Sequence, residues 1–151
     1  MSSPFSVFVG AREGECPPGI RFIRGTRTAR SSLVRPKVLY VDDSALARAA
    51  AARLLGARGL DVVLASSLSE ARSIEPETLA VALLDLEIGD DFGPAVAELL
   101  RARAPALKIA FLTATEGGDM LESARAIGPV FRKDTELDRA VMWVATSAAG
   151  E

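Results

Sequence analysis

The stretch KVLYVDDSALAR, residues 37–48, joins an apolar strand to a helix through two adjacent aspartates. Residues 38–41 form a continuous apolar run of strand length, and Ser44 is a suitable N-cap for the helical pattern that follows. Asp42 and Asp43 therefore stand at the carboxyl end of a buried strand. Because neighbouring carboxylates make each other's ionisation harder, we expect a positively charged group beside them.

The rest of the chain repeats this order of strand and helix. Apolar runs predict strands at 37–43, 61–66, 79–86, 107–114 and 129–133. Helical patterns follow at 44–59, 67–74, 93–105, 118–128 and 135–148. The strands are apolar throughout rather than alternating, which is typical of a parallel sheet with helices on both faces. The sequence therefore predicts an α/β protein, a (βα)5 three-layer sandwich.

Several helix ends carry residues that favour capping. Ser67 is followed three residues later by Glu70, which is a capping-box pattern. We expect Thr135 or Asp134 to cap the last helix. Asp91 is expected in a solvated loop, where it is a candidate cap for the third helix.

The composition excludes several kinds of chemistry. The 151-residue chain has no histidine, which rules out Ser-His-Asp catalysis, histidine-ligated zinc and a phosphohistidine carrier. The single cysteine, Cys16, cannot form an internal disulfide and is typical of a reducing compartment, so we expect a cytoplasmic protein. No apolar run approaches the roughly 20 residues of a membrane span.

The charge is unevenly distributed along the chain. Residues 1–35 carry six arginines and two glutamates, a net charge of +4, whereas residues 36–151 have a net charge of −6. We interpret residues 1–35 as a mostly disordered extension and 36–150 as one folded domain. The basic extension is also compatible with contact to nucleic acid or anionic lipid, but we favour a solvated tail.

Polar side chains stand where four of the predicted strands end. They are Asp42, Asp43, Asp85, Thr113 and Lys133. In open α/β sheets, functional sites lie outside the carboxyl ends of the strands, so these groups should converge. Three carboxylates together need a cation, and oxygen ligands suit Mg²⁺ or Mn²⁺ rather than zinc.

This set of groups also suits phosphoryl transfer. A carboxylate beside Mg²⁺ can act as a nucleophile towards phosphorus. Asp85 is the best candidate, because it comes from the middle of the sheet and has no acidic neighbour in sequence, which leaves Asp42 and Asp43 to hold the metal. Lys133 would neutralise phosphoryl charge and the Thr113 hydroxyl would bind a phosphoryl oxygen.

The same motifs resemble the receiver domain of two-component response regulators. The matching elements, in order, are LYVDDS, VALLDLEIGDDFG, AFLTA and VFRKD, at 39–44, 81–93, 110–114 and 130–134. The resemblance covers residues 36–150. It implies the flavodoxin-like fold, with a parallel sheet of strand order 2-1-3-4-5.

The resemblance also implies roles for individual residues. Asp85 is then the phosphoacceptor, Asp43 binds Mg²⁺ directly, and Asp42 binds it mainly through water. The backbone carbonyl of Glu87 completes the metal shell, and Thr113 and Lys133 hold the phosphoryl group. Glu87 and Thr115 flank the attacking water and tune the lifetime of the phosphorylated state.

Three positions depart from the family's pattern. Ile88-Gly89 replaces the usual Met-Pro after the acceptor, and Asp134 replaces the proline that follows the lysine. Val130 occupies the switch position, which is usually aromatic, and Phe131 lies next to it.

We therefore expect a stand-alone receiver domain, as a monomer or a phosphorylation-dependent dimer. A sensor histidine kinase or a phosphotransfer protein would phosphorylate it, and an unknown output protein would bind it, without direct DNA or membrane binding. No enzyme activity is expected beyond self-phosphorylation and self-dephosphorylation. One alternative is a binding module of this fold that needs no phosphorylation. The other is a phosphatase of the haloacid dehalogenase type, whose D-x-D motif is here Asp85-Leu86-Glu87.

Overall fold

The structure is a computed structural model that describes residues 34–150. The predicted extension at 1–35 lies outside the described residues, except for its last two positions. Within the described range, no helix combines the length and the apolar character that a membrane crossing requires.

Five strands and five helices alternate along the described residues, as predicted. The strands β1 to β5 are Lys37–Val41, Asp61–Ala65, Val81–Asp85, Lys108–Thr113 and Val130–Arg132. The helices α1 to α5 are Ala45–Gly56, Leu68–Arg72, Gly93–Arg103, Asp119–Ile127 and Leu137–Ala148. A 3₁₀ helix, Pro76–Thr78, precedes β3, and a small hairpin between β3 and α3 pairs Glu87–Ile88 with Asp91–Phe92.

The five strands form one parallel sheet in the order β2-β1-β3-β4-β5. This order confirms the flavodoxin-like prediction of 2-1-3-4-5. After β1 the chain forms β2 on one side of β1, and it then crosses to form β3 on the other side. The connections that follow β1 and β3 therefore run in opposite directions across the sheet. A crevice at such a switch point is the usual position of a binding site in open α/β sheets.

The three inner strands of the sheet, β1, β3 and β4, are buried on both faces. On one face, Leu84 belongs to a cluster with Leu100 of α3 and residues of α2 and α4. On the other face, Leu83 packs with Leu55 of α1 and Val144 of α5. Burial on both sides explains why these strands have consecutive apolar residues rather than apolar residues at alternate positions.

The cap predictions are partly confirmed. The Ser44 Oγ accepts a hydrogen bond from the Ala47 amide at 3.2 Å, and the Ser67 Oγ accepts one from the Glu70 amide at 3.1 Å. In a capping box, the Glu70 carboxylate would accept a hydrogen bond from the amide of the N-cap residue, Ser67. Here it accepts instead from the amide and the hydroxyl of the preceding residue, Ser66.

Two cap predictions are wrong. Helix α5 begins at Leu137 after Glu136 and has no side-chain cap, because Asp134 instead pairs with Arg132. Asp91 caps a different helix from the one expected, since its carboxylate accepts from the amide of Leu68, the first residue of α2, at 3.2 Å. This bond ties the hairpin after β3 to the start of α2.

Gly93 allows α3 to begin directly against the end of β3. A Cβ at this position would lie 2.5 Å from the main-chain oxygen of Asp85 and 3.1 Å from the Cα of Leu86. These are backbone atoms and cannot move as a flexible side chain could. The small residue therefore fixes the position of α3 relative to the strand that carries Asp85.

Replacing Gly93 with alanine should destabilise the domain by about 1–3 kcal/mol, because the added methyl group meets fixed backbone. Urea unfolding would measure the change. Gly56→Ala is the matched control, since a Cβ added at Gly56 would meet no atom within 4 Å. This control should be neutral or stabilising by up to about 1 kcal/mol. Equal effects of the two substitutions would contradict the steric explanation.

Candidate functional site

The strand-end residues predicted from the sequence do converge at one edge of the sheet. Asp42 follows β1, while Asp85 and Thr113 are the last residues of β3 and β4. All three are buried, and Asp42 has no exposed surface. Lys133 follows β5, and its amide donates to the Thr113 carbonyl at 2.8 Å, which fixes the lysine backbone against β4.

Three carboxylates at this edge form a cluster suited to one metal ion. Asp42, Asp43 and Asp85 each offer an oxygen, and these oxygens lie within 4.8 Å of one another. Oxygens that bind one cation at about 2.0–2.6 Å lie at most about 4–5 Å apart, and hard oxygen ligands suit Mg²⁺ or Mn²⁺. Asp43 is exposed, so an ion here could keep part of its water shell. The donor set therefore fits the metal expected from the sequence.

The Asp42 carboxylate is held by three hydrogen bonds. Its Oδ2 accepts from the Tyr40 hydroxyl at 2.7 Å and from Lys133 Nζ at 2.8 Å. Its Oδ1 accepts from the Ser44 amide at 2.9 Å. Burial alone would raise the pKa of Asp42, but these donors outweigh it and lower that pKa. Asp42 is therefore ionised although it is fully buried.

Asp85 lacks comparable compensation. Its Oδ2 lies 3.1 Å from Lys133 Nζ, so it shares that lysine with Asp42. Burial, followed by the negative charge of Asp42, raises the pKa of Asp85 to about 6 despite the opposing effect of Lys133. One lysine between two buried carboxylates leaves an excess of negative charge, which a divalent cation would neutralise.

Asp43 connects the first strand to the loop that follows Asp85. Its Oδ2 accepts a hydrogen bond from the Gly89 amide at 3.1 Å. Gly89 has a φ of +61°, a left-handed conformation that glycine adopts without strain. The departure at Ile88-Gly89 thus creates a tight hairpin turn whose amide faces the exposed aspartate of the cluster.

Thr113 makes its hydrogen bonds within its own loop. Its Oγ1 accepts from the Thr115 amide at 2.8 Å and lies 3.3 Å from the Thr115 carbonyl oxygen. The Thr115 hydroxyl is 3.5 Å from a Glu87 carboxylate oxygen, at the outer limit of a hydrogen bond. The side chains of the two residues expected to tune dephosphorylation, Glu87 and Thr115, therefore lie next to each other.

The residues that flank Lys133 form an ion-pair network. Arg132 makes two contacts of 3.2 Å with the Asp134 carboxylate and one of 3.2 Å with Glu116 in the loop after β4. The Arg132 amide also donates to Glu136 at 2.9 Å. Lys133 reaches both buried carboxylates, Asp42 and Asp85, although Asp134 occupies the position where the family usually has proline.

Val130 and Phe131 lie on opposite faces of β5. Val130 is half-buried against the core cluster that includes α4, whereas Phe131 belongs to the cluster on the α5 side. The Phe131 ring lies 6.5 Å from the Trp143 ring, centroid to centroid. Phe131 therefore does not replace a missing aromatic ring at the position of Val130.

Sequence reasoning missed two residues that contact Asp42. One is Tyr40, whose hydroxyl reaches the carboxylate from inside the core; burial, followed by the bond to Asp42, raises the pKa of Tyr40 and keeps its proton in place. The other is Arg48 of α1, which donates to the Asp42 main-chain oxygen at 2.7 Å. The only sequence signal for Tyr40 was its hydroxyl group within the otherwise aliphatic run at residues 38–41.

Comparison with known proteins gives a family match. The family model of the response regulator receiver domain matches residues 38–130. No curated protein matches the sequence.

Solved structures share the fold at low sequence identity. The non-phosphorylated HemR receiver domain from Leptospira biflexa has a TM-score of 0.68 at 23% identity, covering 76% of this chain and 95% of its own. A CheY-like receiver domain protein from Methanospirillum hungatei JF-1 has a TM-score of 0.67 at 20% identity, covering 78% and 98%. A Burkholderia pseudomallei response regulator with a phosphorylated aspartic acid, a calcium ion and citrate has a TM-score of 0.61 at 22% identity, covering 76% and 69%.

Replacing Asp43 with alanine should weaken Mg²⁺ binding by about tenfold or more, because the cluster loses its exposed carboxylate. Isothermal titration calorimetry would measure the affinity. Asp90→Ala is the control, since Asp90 is an exposed carboxylate in the adjacent hairpin but is not part of the cluster. An unchanged affinity in Asp43→Ala would exclude this residue as a ligand.

Asp85→Asn should stabilise the metal-free domain at pH 7.5 by about 1–3 kcal/mol. The pKa of Asp85 is higher in the folded chain than in the unfolded one, so its ionised form opposes folding. This penalty is present above the folded pKa and disappears as the pH falls to the unfolded value of about 4. The advantage of the variant should therefore vanish in urea unfolding at about pH 4. A gain that persists unchanged at the lower pH would contradict the assignment.

Proposed function

Because this chain belongs to the response regulator receiver domain family, we propose that Asp85 accepts a phosphoryl group with Mg²⁺ at the acidic cluster. The observation that carries the proposal is a cluster of three carboxylates, two of which share one lysine. Asp42, Asp43 and Asp85 have oxygens within 4.8 Å of one another, and Lys133 contacts two of these residues. A receiver domain is a signalling phosphoacceptor domain rather than a classical enzyme.

In the proposed reaction, an Asp85 carboxylate oxygen attacks phosphorus as the bond to the donor's leaving group breaks. Asp42, Asp43, Asp85 and the backbone carbonyl of Glu87 would hold Mg²⁺ or Mn²⁺, which would neutralise negative charge when bound. Lys133 already lies 3.1 Å from Asp85 Oδ2 and is placed to contact a phosphoryl oxygen there. These electrostatic contacts, rather than acid–base chemistry, are what phosphoryl transfer needs from the protein.

Phosphorylation would change the loop after β4. For Thr113 to bind a phosphoryl oxygen, its hydroxyl must exchange its contacts with Thr115 for contacts with the new group. The same loop carries Glu116, which pairs with Arg132 of β5. A phosphoryl group on Asp85 would therefore bias the surface around this loop and β5, including the switch position Val130.

Glu87 and Thr115 are proposed to tune how long the phosphoryl group remains. Their side chains meet at 3.5 Å at the mouth of the site, where a hydrolytic water would approach Asp85. The Burkholderia relative, with its phosphorylated aspartic acid and calcium ion, supports both the acceptor and the cation in this proposal.

The phosphoryl donor would be a sensor histidine kinase or a phosphotransfer protein, in the cytoplasm. Signalling would proceed through contact with an output protein, by a stand-alone monomer or a phosphorylation-dependent dimer. A phosphorylation-independent binding module remains the second candidate. The switch position, Val130, has no aromatic ring, and Phe131 does not supply one because it packs on the opposite face of β5. The missing ring favours this second candidate.

Incubation with acetyl phosphate and Mg²⁺, followed by intact mass measurement, tests the proposal. We expect the wild type to gain one phosphoryl group and Asp85→Asn to gain none, because the mutant lacks the nucleophilic oxygen. Asp90→Asn is the matched control and should behave as the wild type. A gain that persists in Asp85→Asn would show that the acceptor is wrong. No gain in the wild type, together with no response to beryllofluoride, would favour the phosphorylation-independent module.

A further inference from the structure

Tyr40 is the single tyrosine of the chain, and it is the fourth of the five residues of the buried strand β1. Its ring packs with the core cluster on the side of α1 and α5, and the residue is 2% exposed. Its hydroxyl donates to Asp42 Oδ2 at 2.7 Å. A ring enclosed in this way cannot turn its hydroxyl elsewhere without disturbing the core.

Two side-chain donors share the same oxygen of Asp42. Tyr40 approaches Oδ2 from inside the core at 2.7 Å, and Lys133 Nζ approaches it from the site at 2.8 Å. Only Lys133 has a second carboxylate partner, Asp85, at 3.1 Å. Lys133 is therefore the donor that can leave, whereas Tyr40 has no alternative partner among the hydrogen bonds of the described residues.

Release of Lys133 would be costly if nothing else held Asp42. Asp42 is completely buried, and a buried carboxylate that loses its donors is strongly destabilised. A phosphoryl group on Asp85 would draw Lys133 towards its own oxygens. The remaining donors to the Asp42 carboxylate would then be the Ser44 amide on Oδ1 and the Tyr40 hydroxyl on Oδ2.

We propose that Tyr40 is a positioning residue that keeps the Asp42 carboxylate oriented towards the cation when Lys133 moves to the phosphoryl group. This inference rests on the proposed function, since it assigns Tyr40 a task in the same site. It is distinct from a role in stability alone. A purely structural tyrosine would contribute equally to the resting state and to the phosphorylated state.

The first test measures beryllofluoride affinity at saturating Mg²⁺ in Tyr40→Phe, which keeps the ring and removes the hydroxyl. We expect about tenfold weaker binding, because hydrogen bonds to charged groups are the stronger ones. Mg²⁺ affinity without beryllofluoride should change by less than about threefold, because Lys133 then still holds Asp42. Equal beryllofluoride affinity in the variant and the wild type would overturn the proposal.

Val38→Ala provides the matched control for lost stability. Val38 is fully buried two residues earlier in β1, in the same core cluster as Tyr40, and contacts none of the carboxylates through a hydrogen bond. This variant should unfold more easily but bind beryllofluoride as the wild type does. A similar loss of beryllofluoride affinity in Val38→Ala would show that general destabilisation explains the effect of Tyr40→Phe.

A double-mutant cycle tests the shared hold on Asp42 without any phosphoryl chemistry. Tyr40→Phe, Lys133→Met and the double variant are unfolded in urea without divalent cations. Each single variant leaves one donor on Oδ2, so the double variant should lose more stability than the sum of the two single losses. Additive losses would overturn the proposal. If the wild type binds neither beryllofluoride nor a phosphoryl group, the proposed function fails, while this cycle still decides whether Tyr40 substitutes for Lys133.

Discussion

An excess of negative charge at the carboxyl edge of the sheet dominates the chemistry of this domain. Asp42 and Asp85 are buried beside each other, and Lys133 is shared between them. The structure divides the carboxylates into two kinds. Asp42 is surrounded by donors and stays ionised, whereas the pKa of Asp85 is raised by burial and then by Asp42. A divalent cation at this edge would neutralise the excess negative charge, which would also let a phosphoryl group approach Asp85.

The sheet order and the apolar core keep these charged side chains close together. The carboxyl ends of β1 and β3 are adjacent because the two strands are parallel neighbours in the sheet. Apolar layers on both faces bury the strands, and Gly93 lets α3 start against the backbone of Asp85. The energy that buries two carboxylates therefore comes from the surrounding core, which is a common arrangement where function requires an unfavourable local environment.

Local patterns in the sequence predicted the alternation of strands and helices and the convergence of the site, whereas the strand order followed from the resemblance to receiver domains. Continuous apolar runs indicated a covered parallel sheet, and strand ends indicated Asp85 and Lys133. Several individual side-chain contacts were not predictable from these patterns. The bond from Leu68 to Asp91 spans the hairpin and α2, and the bond between Tyr40 and Asp42 depends on the path of one ring through the core. The predicted cap of α5 does not form, because Asp134 pairs with Arg132.

The decisive measurement is a crystal structure of the chain with Mg²⁺ and beryllofluoride. We expect one Mg²⁺ ion among Asp42, Asp43 and Asp85, with beryllofluoride on Asp85. Lys133 should have moved from Asp42 to the fluorides, while Tyr40 keeps its hydrogen bond to Asp42. A cluster without metal, with Lys133 still bridging the two buried carboxylates under these conditions, would contradict the account.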